Sequence, residues 1–218
     1  MAEISSQERD YLPGMGKHYL LPFYDVLHRV SGLSRVHGEM VELAGLRDGQ
    51  RVLDVGCGTG NLLRTTGKRH RSVSLTGVDP DVKMLARAER KIRRAGLTAR
   101  LDRGFAQELA FPDGSFDVVF SSLMLHHLET SAKDEMLAEV RRVLRPDGVL
   151  VLADAAVHDH SHLGHRRGAS GKMQEHLHDN VGHAVAKRIA AAGFTVEPTR
   201  TRKLRMFGEV GIEVARVQ

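Results

Sequence analysis

The chain has 218 residues, 41% of them hydrophobic and 27% charged, proportions that suit one compact domain with a substantial core. No apolar run approaches the ~20 residues that cross a bilayer, the start MAEISSQERD lacks the basic and apolar parts of a signal peptide, and the single cysteine, Cys57, builds neither a disulfide nor a thiolate zinc site. Membrane-spanning and secreted classes are therefore not expected, and the expected compartment is the cytoplasm. The net charge of +5 is regional, since Arg64 to Arg103 carries 12 Lys/Arg against 4 Asp/Glu and the rest of the chain is slightly acidic.

Residues 1–32 show no clean period and mix Pro13, Gly14 and Gly16 with Tyr11, Tyr19, Phe23 and Tyr24, as in an irregular or short-helical extension. A helix is predicted over Leu33–Ala44, closed by Gly45. Arg51–Val55 then reads as a strand running into Gly56-Cys57-Gly58-Thr59-Gly60, with a helix over Asn61–Lys68 behind it. The alternation continues with strand Val73–Asp79, helix Asp81–Ala95, strands Thr98–Asp102 and Phe116–Ser121, helix Ser131–Leu144 and strand Gly148–Asp154. Ser131 and Asp134 resemble a capping box, and Pro146-Asp147-Gly148 is expected to stop the helix. A polar, histidine-rich stretch reaches to about Asp179, followed by helix Asn180–Ala192 closed by Gly193. Two strand-like runs, Thr195–Arg202 and Val210–Val217, abut without a helix and predict an antiparallel hairpin. Strands separated by helices imply a mostly parallel sheet covered on both faces, in one α/β domain.

Chemistry is written first in the glycine turn. An apolar strand ending in Asp54 is followed by three glycines at alternate positions, which let the backbone turn tightly and approach a ligand ahead of a helix. The dinucleotide fingerprint needs its third glycine where this chain has Asn61, and no Lys-Ser/Thr closes the loop, so neither a dinucleotide nor a P-loop phosphate fits. Asp79, at the end of the next strand, is placed to accept from the hydroxyls of a ribose, and Pro80 and Met84 could pack on a base, although Met84 also suits the helix core.

Together with Asp54–Gly60 and Asp79, the segments Gly104–Asp117, Leu125-His126-His127-Leu128 and Arg141–Gly148 resemble, in order and spacing, the class I S-adenosylmethionine-dependent methyltransferases. The similarity is greatest to the branch of the ubiquinone and menaquinone biosynthesis enzymes and many small-molecule methyltransferases. It covers roughly residues 45–155. The resemblance implies a Rossmann-like fold with a seven-stranded sheet, helices on both faces and a C-terminal antiparallel hairpin. Residues 1–44 would be an amino-terminal extension or lid, 45–155 the cofactor core, and 156–218 a lid segment, last helix and strand pair.

The resemblance also implies that Gly56, Gly58 and Gly60, with Cys57 among them, approach the methionine part of S-adenosylmethionine, with Asp54 supporting the loop. Asp79 would hold the ribose, Ala106 and Gln107 would meet the adenine edge, and Ser121 would face the ammonium and methyl groups. The product would be S-adenosylhomocysteine. Phe105 stands where an acid is common, Ala110 where a proline is usual and Asp147 where a glycine is usual. A redox role for Cys57 is not expected, because no cationic neighbour in sequence would stabilise a thiolate.

His126 follows the fourth strand, where an imidazole could take a proton from an acceptor; orienting the loop is its other role. The late histidines, His158, His160, His162, His165, His176, His178 and His183, lack the spacing of a metal helix motif, so no metal is assigned and the stretch suits a substrate lid. The acceptor pocket would draw on Tyr11, His18, Tyr19, Tyr24, the loop around His126 and the segment from Asp154. No Asn/Asp-Pro-Pro-aromatic motif follows Ser121, which favours a small-molecule acceptor over an adenine or a protein amide. Nucleic acid is not the expected partner, and the chain would act as a monomer or homodimer. The alternatives are a non-catalytic module that binds S-adenosylmethionine, or an RNA methyltransferase using the basic 64–103 face.

Overall fold

The structure, a computed structural model, describes residues 31–156, 184–204 and 208–217. Helix α1 (Leu33–Leu43) precedes β1 (Arg51–Val55), α2 (Asn61–Arg69), β2 (Ser74–Asp79), α3 (Val82–Arg94) and β3 (Arg100–Arg103). Then come β4 (Phe116–Ser122), a 3-10 turn at Leu125–His127, α4 (Thr130–Val143) and β5 (Leu144–Ala155). The chain ends with α5 (Ala184–Ala191), β6 (Phe194–Val196), β7 (Arg200–Leu204) and β8 (Gly208–Val217).

The sheet runs β3-β2-β1-β4-β5-β8-β6, parallel from β3 to β5 and antiparallel where β8 joins β5. Strand parity decides which residue meets which helix layer, since successive side chains point to opposite faces. Val52, Val149, Val151 and Ala153 pack with α1, α2 and Ile92 of α3. Their neighbours Leu53, Val55, Leu150 and Leu152 pack with α4, α5 and the segment around Leu109. Both faces are thus apolar and both are covered, which is why these strands read as nearly continuous hydrophobic runs.

The described residues form eight strands rather than seven. Thr195–Arg202 divides into β6 and β7, which pair antiparallel with opposite ends of β8. Pro198 lies at the break, and without an amide proton it cannot join the ladder. The hairpin therefore becomes three strands.

The expected capping box of α4 does not form. The helix begins two residues earlier than expected, with Glu129 as an N-cap that makes no side-chain cap, so Ser131 and Asp134 lie inside the helix, and Asp134 accepts from Arg188 of α5 at 2.5 Å. Pro146-Asp147-Gly148 also does not separate helix from strand. The helix ends at Val143 and β5 starts at once, with Arg145–Gly148 bulging between the pairs Phe116↔Leu144 and Val118↔Val149. Asp147 has φ 62° there, the left-handed conformation a glycine takes at least cost. The predicted helix Asn180–Ala192 is described only from Ala184.

Candidate active site

Chain order fixes where a ligand can lie. From β1 the chain winds outward to β2 and β3, and from β4 it winds the other way to β5, so a crevice opens beyond the carboxyl ends of β1 and β4. The ends of β1, β2, β4 and β5 supply Asp54, Asp79, Ser121 and Asp154.

The glycine turn is held from below. The amides of Gly56 and Cys57 both donate to the Val78 carbonyl, at 2.9 and 3.0 Å. Gly56, Gly58 and Gly60 all have left-handed φ, at 72°, 51° and 73°. Their surroundings differ. A side chain on Gly56 would drive into Met124, and one on Gly60 would come within 3.0 Å of Ala88 in α3, whereas nothing lies within 4 Å of the corresponding position at Gly58. Gly58 alone of the three faces open space, while Gly60 permits close packing of α2 on α3.

Asp79 joins two elements. Its Oδ2 accepts from the Gly58 amide at 2.8 Å and its Oδ1 from the Asp81 amide at 2.9 Å. Burial pushes its carboxyl up against the opposing effect of those amides. Asp54 is 2% exposed, and burial followed by the charge of Asp79 raises its carboxyl well above the ordinary range. Two buried carboxylates beside a backbone turn make a place for positive charge. Cys57 is buried, its thiol pushed up by burial and then by Asp54 and Asp79, so it is no thiolate. Its sulfur occupies the space that a side chain at Gly77 would need.

Pro80 is half-buried and Met84 buried, behind an N-cap in which Asp81 accepts from Lys83 and Met84 amides at 2.7 and 3.3 Å. The Gly104 amide donates to the Asp79 carbonyl at 3.3 Å, which carries Phe105, the buried Ala106 and the half-buried Gln107 alongside. Arg142 of α4 fixes the far end of that loop by donating to the Leu109 and Phe111 carbonyls at 2.8 and 2.7 Å. Glu139 takes the Leu109 amide at 2.8 Å, and its hydrogen bonds with Arg142 hold its carboxyl below the usual range.

On the opposite wall Ser121 is 1% exposed, and its Oγ has no hydrogen-bond partner among the described residues. Ser122 Oγ pairs with His37 Nε2 of α1 at 3.0 Å. Leu123 follows with φ 52°, a strained value for such a side chain, and turns the chain into the segment bearing His126. His126 Nδ1 donates to Asp154 Oδ1 at 2.6 Å, and its backbone amide donates to Oδ2 at 3.1 Å. Burial pulls the Asp154 carboxyl up, but the charge and hydrogen bonds of His126 outweigh it and leave the carboxyl below its ordinary range. With Nδ1 donating to Asp154, the neutral form of the ring has Nε2 as its acceptor. His127 stacks against it with ring centres 4.2 Å apart.

The structure therefore brings together His126 and the predicted ligand-contacting positions at the carboxyl ends of the strands. Asp154 as partner of His126 was not anticipated, although it shows the same signal as Asp54 and Asp79: an acid ending an apolar strand. His37 had no signal, because its partner is 85 residues away in sequence. Tyr11, His18, Tyr19, Tyr24 and the histidines from His158 to His183 lie outside the described residues. Among the described residues no three His, Cys, Asp or Glu side chains are grouped to hold a metal. No helix among them is long and apolar enough to cross a membrane.

Residues 52–148 match the family model described as a methyltransferase domain. The chain is 29% identical over 210 residues to a ubiquinone/menaquinone biosynthesis C-methyltransferase of Erwinia tasmaniensis, covering 90% of this chain and 80% of that one. It is 34% identical over 138 residues to a demethylmenaquinone methyltransferase of Thermus thermophilus, covering 62% of each. Among solved structures, a SAM-dependent methyltransferase from Aquifex aeolicus superposes with TM-score 0.66 at 21% identity, covering 88% of this chain and 93% of that one. The matches span from 56% to 80% of the length of the first curated relatives.

Proposed function

From a chain that carries a class I S-adenosylmethionine-dependent methyltransferase domain, we propose a cytoplasmic enzyme that methylates a small-molecule acceptor whose nucleophile must lose a proton, with His126 as the base. The observation that carries this reading is the His126–Asp154 pair at 2.6 Å, set at the crevice rather than in the core interior. Buried Asp154 holds Nδ1 and the backbone amide of His126, and the other ring nitrogen would serve an acceptor bound at the crevice.

The residues present fit the cofactor. Gly58 faces free space, the Ser121 hydroxyl lacks a partner among the described residues, and the Asp54 and Asp79 carboxylates favour a cationic ligand. Asp79 would hold the ribose, the 104–107 loop with Ala106 and Gln107 would flank the adenine, and Pro80 and Met84 would back it. When bound, S-adenosylmethionine supplies a methyl group on a sulfonium, which transfers by direct displacement. His126 would accept the acceptor's proton at Nε2, and Asp154 would stabilise the imidazolium so formed. The glycine turn and Ser121 would position the reactants and exclude water, effects that need no covalent intermediate.

The test compares His126→Gln and Asp154→Asn with the wild type in methyl transfer from labelled S-adenosylmethionine to an acceptor panel of phenols, hydroquinones and amines. Both variants should lose about 10²- to 10⁴-fold in kcat while keeping their cofactor affinity. For Asp154, a positioning residue, the acid limb of the pH profile should also shift. Variants with wild-type turnover would overturn the base assignment.

A further inference from the structure

The basic region between Arg64 and Arg103 is not spread evenly over the surface. Arg64 and Lys68 of α2 and Arg87, Arg90, Lys91 and Arg94 of α3 line one groove between the two helices, with a cavity volume of about 360 Å³ and Ala95 at its end. No acid lines it. Glu89, the acid of α3, pairs instead with Arg93 at 3.9 Å, away from the groove. Arg64, Lys68, Arg87, Arg90 and Arg94 make no ion pair among the described residues, and Arg64 Nε is a buried donor without a hydrogen-bond partner there. Converging cations without counter-charge repel one another, and a buried unpaired guanidinium nitrogen carries a desolvation cost. Both penalties disappear when a dense anion enters.

We propose that this groove is a polyphosphate site, taking a di- or triphosphate group of a small molecule. Guanidinium forks grip phosphate oxygens in bidentate fashion, and four arginines in one groove suit several phosphate oxygens at once. Arg87 to Arg94 spans about 10 Å of helix, room for more than one phosphate. The lining has no aromatic ring on which a nucleobase could stack, as a single-stranded nucleic-acid surface would need. The groove also touches the cofactor turn, because Lys91 Nζ donates to Thr59 Oγ1 at 2.8 Å and Asn61 Oδ1 at 2.7 Å.

The inference is independent of the methyl-transfer reading and is tested by titrating the full chain with inorganic tripolyphosphate, using calorimetry at low and high salt. One equivalent should bind, more weakly as salt rises. The double variant Arg64→Gln/Arg90→Gln should bind about tenfold more weakly, whereas Arg93→Gln, outside the groove, should bind as the wild type does. Arg87→Gln/Arg94→Gln serves as the second groove variant should the first melt early, and far-UV circular dichroism with Tm checks that each is intact. Absence of binding, or equal weakening by Arg93→Gln, would overturn the proposal. So would a duplex RNA that binds and is not displaced by tripolyphosphate, since the face would then serve a nucleic-acid backbone.

Discussion

Asp54 and Asp154 show what burial does to one residue type under two sets of neighbours. Both are 2% exposed, yet Asp54 sits near the negative Asp79 while Asp154 receives the imidazole and amide of His126. The first carboxyl is raised and the second lowered, and opposite pH behaviour follows. A cation bound beside Asp54 favours its ionised form, so S-adenosylmethionine binding should release protons. Calorimetry in buffers of different ionisation enthalpy reads this as a buffer-dependent heat, which Asp54→Asn should remove. Heats that do not depend on the buffer would mean that Asp54 does not sense the ligand's charge.

At the scale of the element, the glycine turn is one motif in sequence and three environments in space. Gly58→Ala puts a methyl group into open space at φ 51°, so its cost is conformational strain, about 1 kcal/mol. Gly60→Ala adds to similar strain a contact of 3.0 Å with Ala88, which pushes α3 away from α2. Gly60→Ala should therefore lower Tm more than Gly58→Ala, while Gly58→Ala should weaken cofactor binding more than its Tm change suggests. Equal effects on both readouts would show that the two glycines do the same work. The helix starts make a similar contrast: Asp81 caps α3 with its side chain, whereas Ser131 caps nothing because α4 already begins at Glu129.

Across the whole molecule, the Asp154 pair ties the end of β5 to the turn after β4, and its contribution to stability has a definite sign. A carboxyl held below its unfolded value stabilises the fold above about pH 4 and loses that contribution as pH falls through its folded value. Asp154→Asn should thus be destabilised by about 1–3 kcal/mol at neutral pH, with the gap to the wild type closing below about pH 4. Urea unfolding across pH 3–7 measures this, and a gap that stays constant with pH would show that packing rather than charge is at stake.

The sequence by itself determined the order of elements, the parallel sheet and the carboxyl-end position of the chemistry, because strand and helix periods and a glycine turn are local signals. It marked Asp54, Asp79 and His126 individually, each by its place at or after a strand end, and the family resemblance marked Ser121. Only the tertiary structure decided what each one meets. Asp154 and His126 are 28 residues apart, Glu139 and Leu109 are 30 apart, and His37 and Ser122 are 85 apart. Such pairings depend on strand order and register, which no local pattern encodes. The expected hairpin splits at Pro198, which has no amide proton to give to the ladder, and the expected cap at Ser131 is lost because α4 begins two residues earlier, at Glu129. The basic 64–103 region follows the same rule: as sequence it is an excess of cations, and only the packing of α2 beside α3 turns it into a groove.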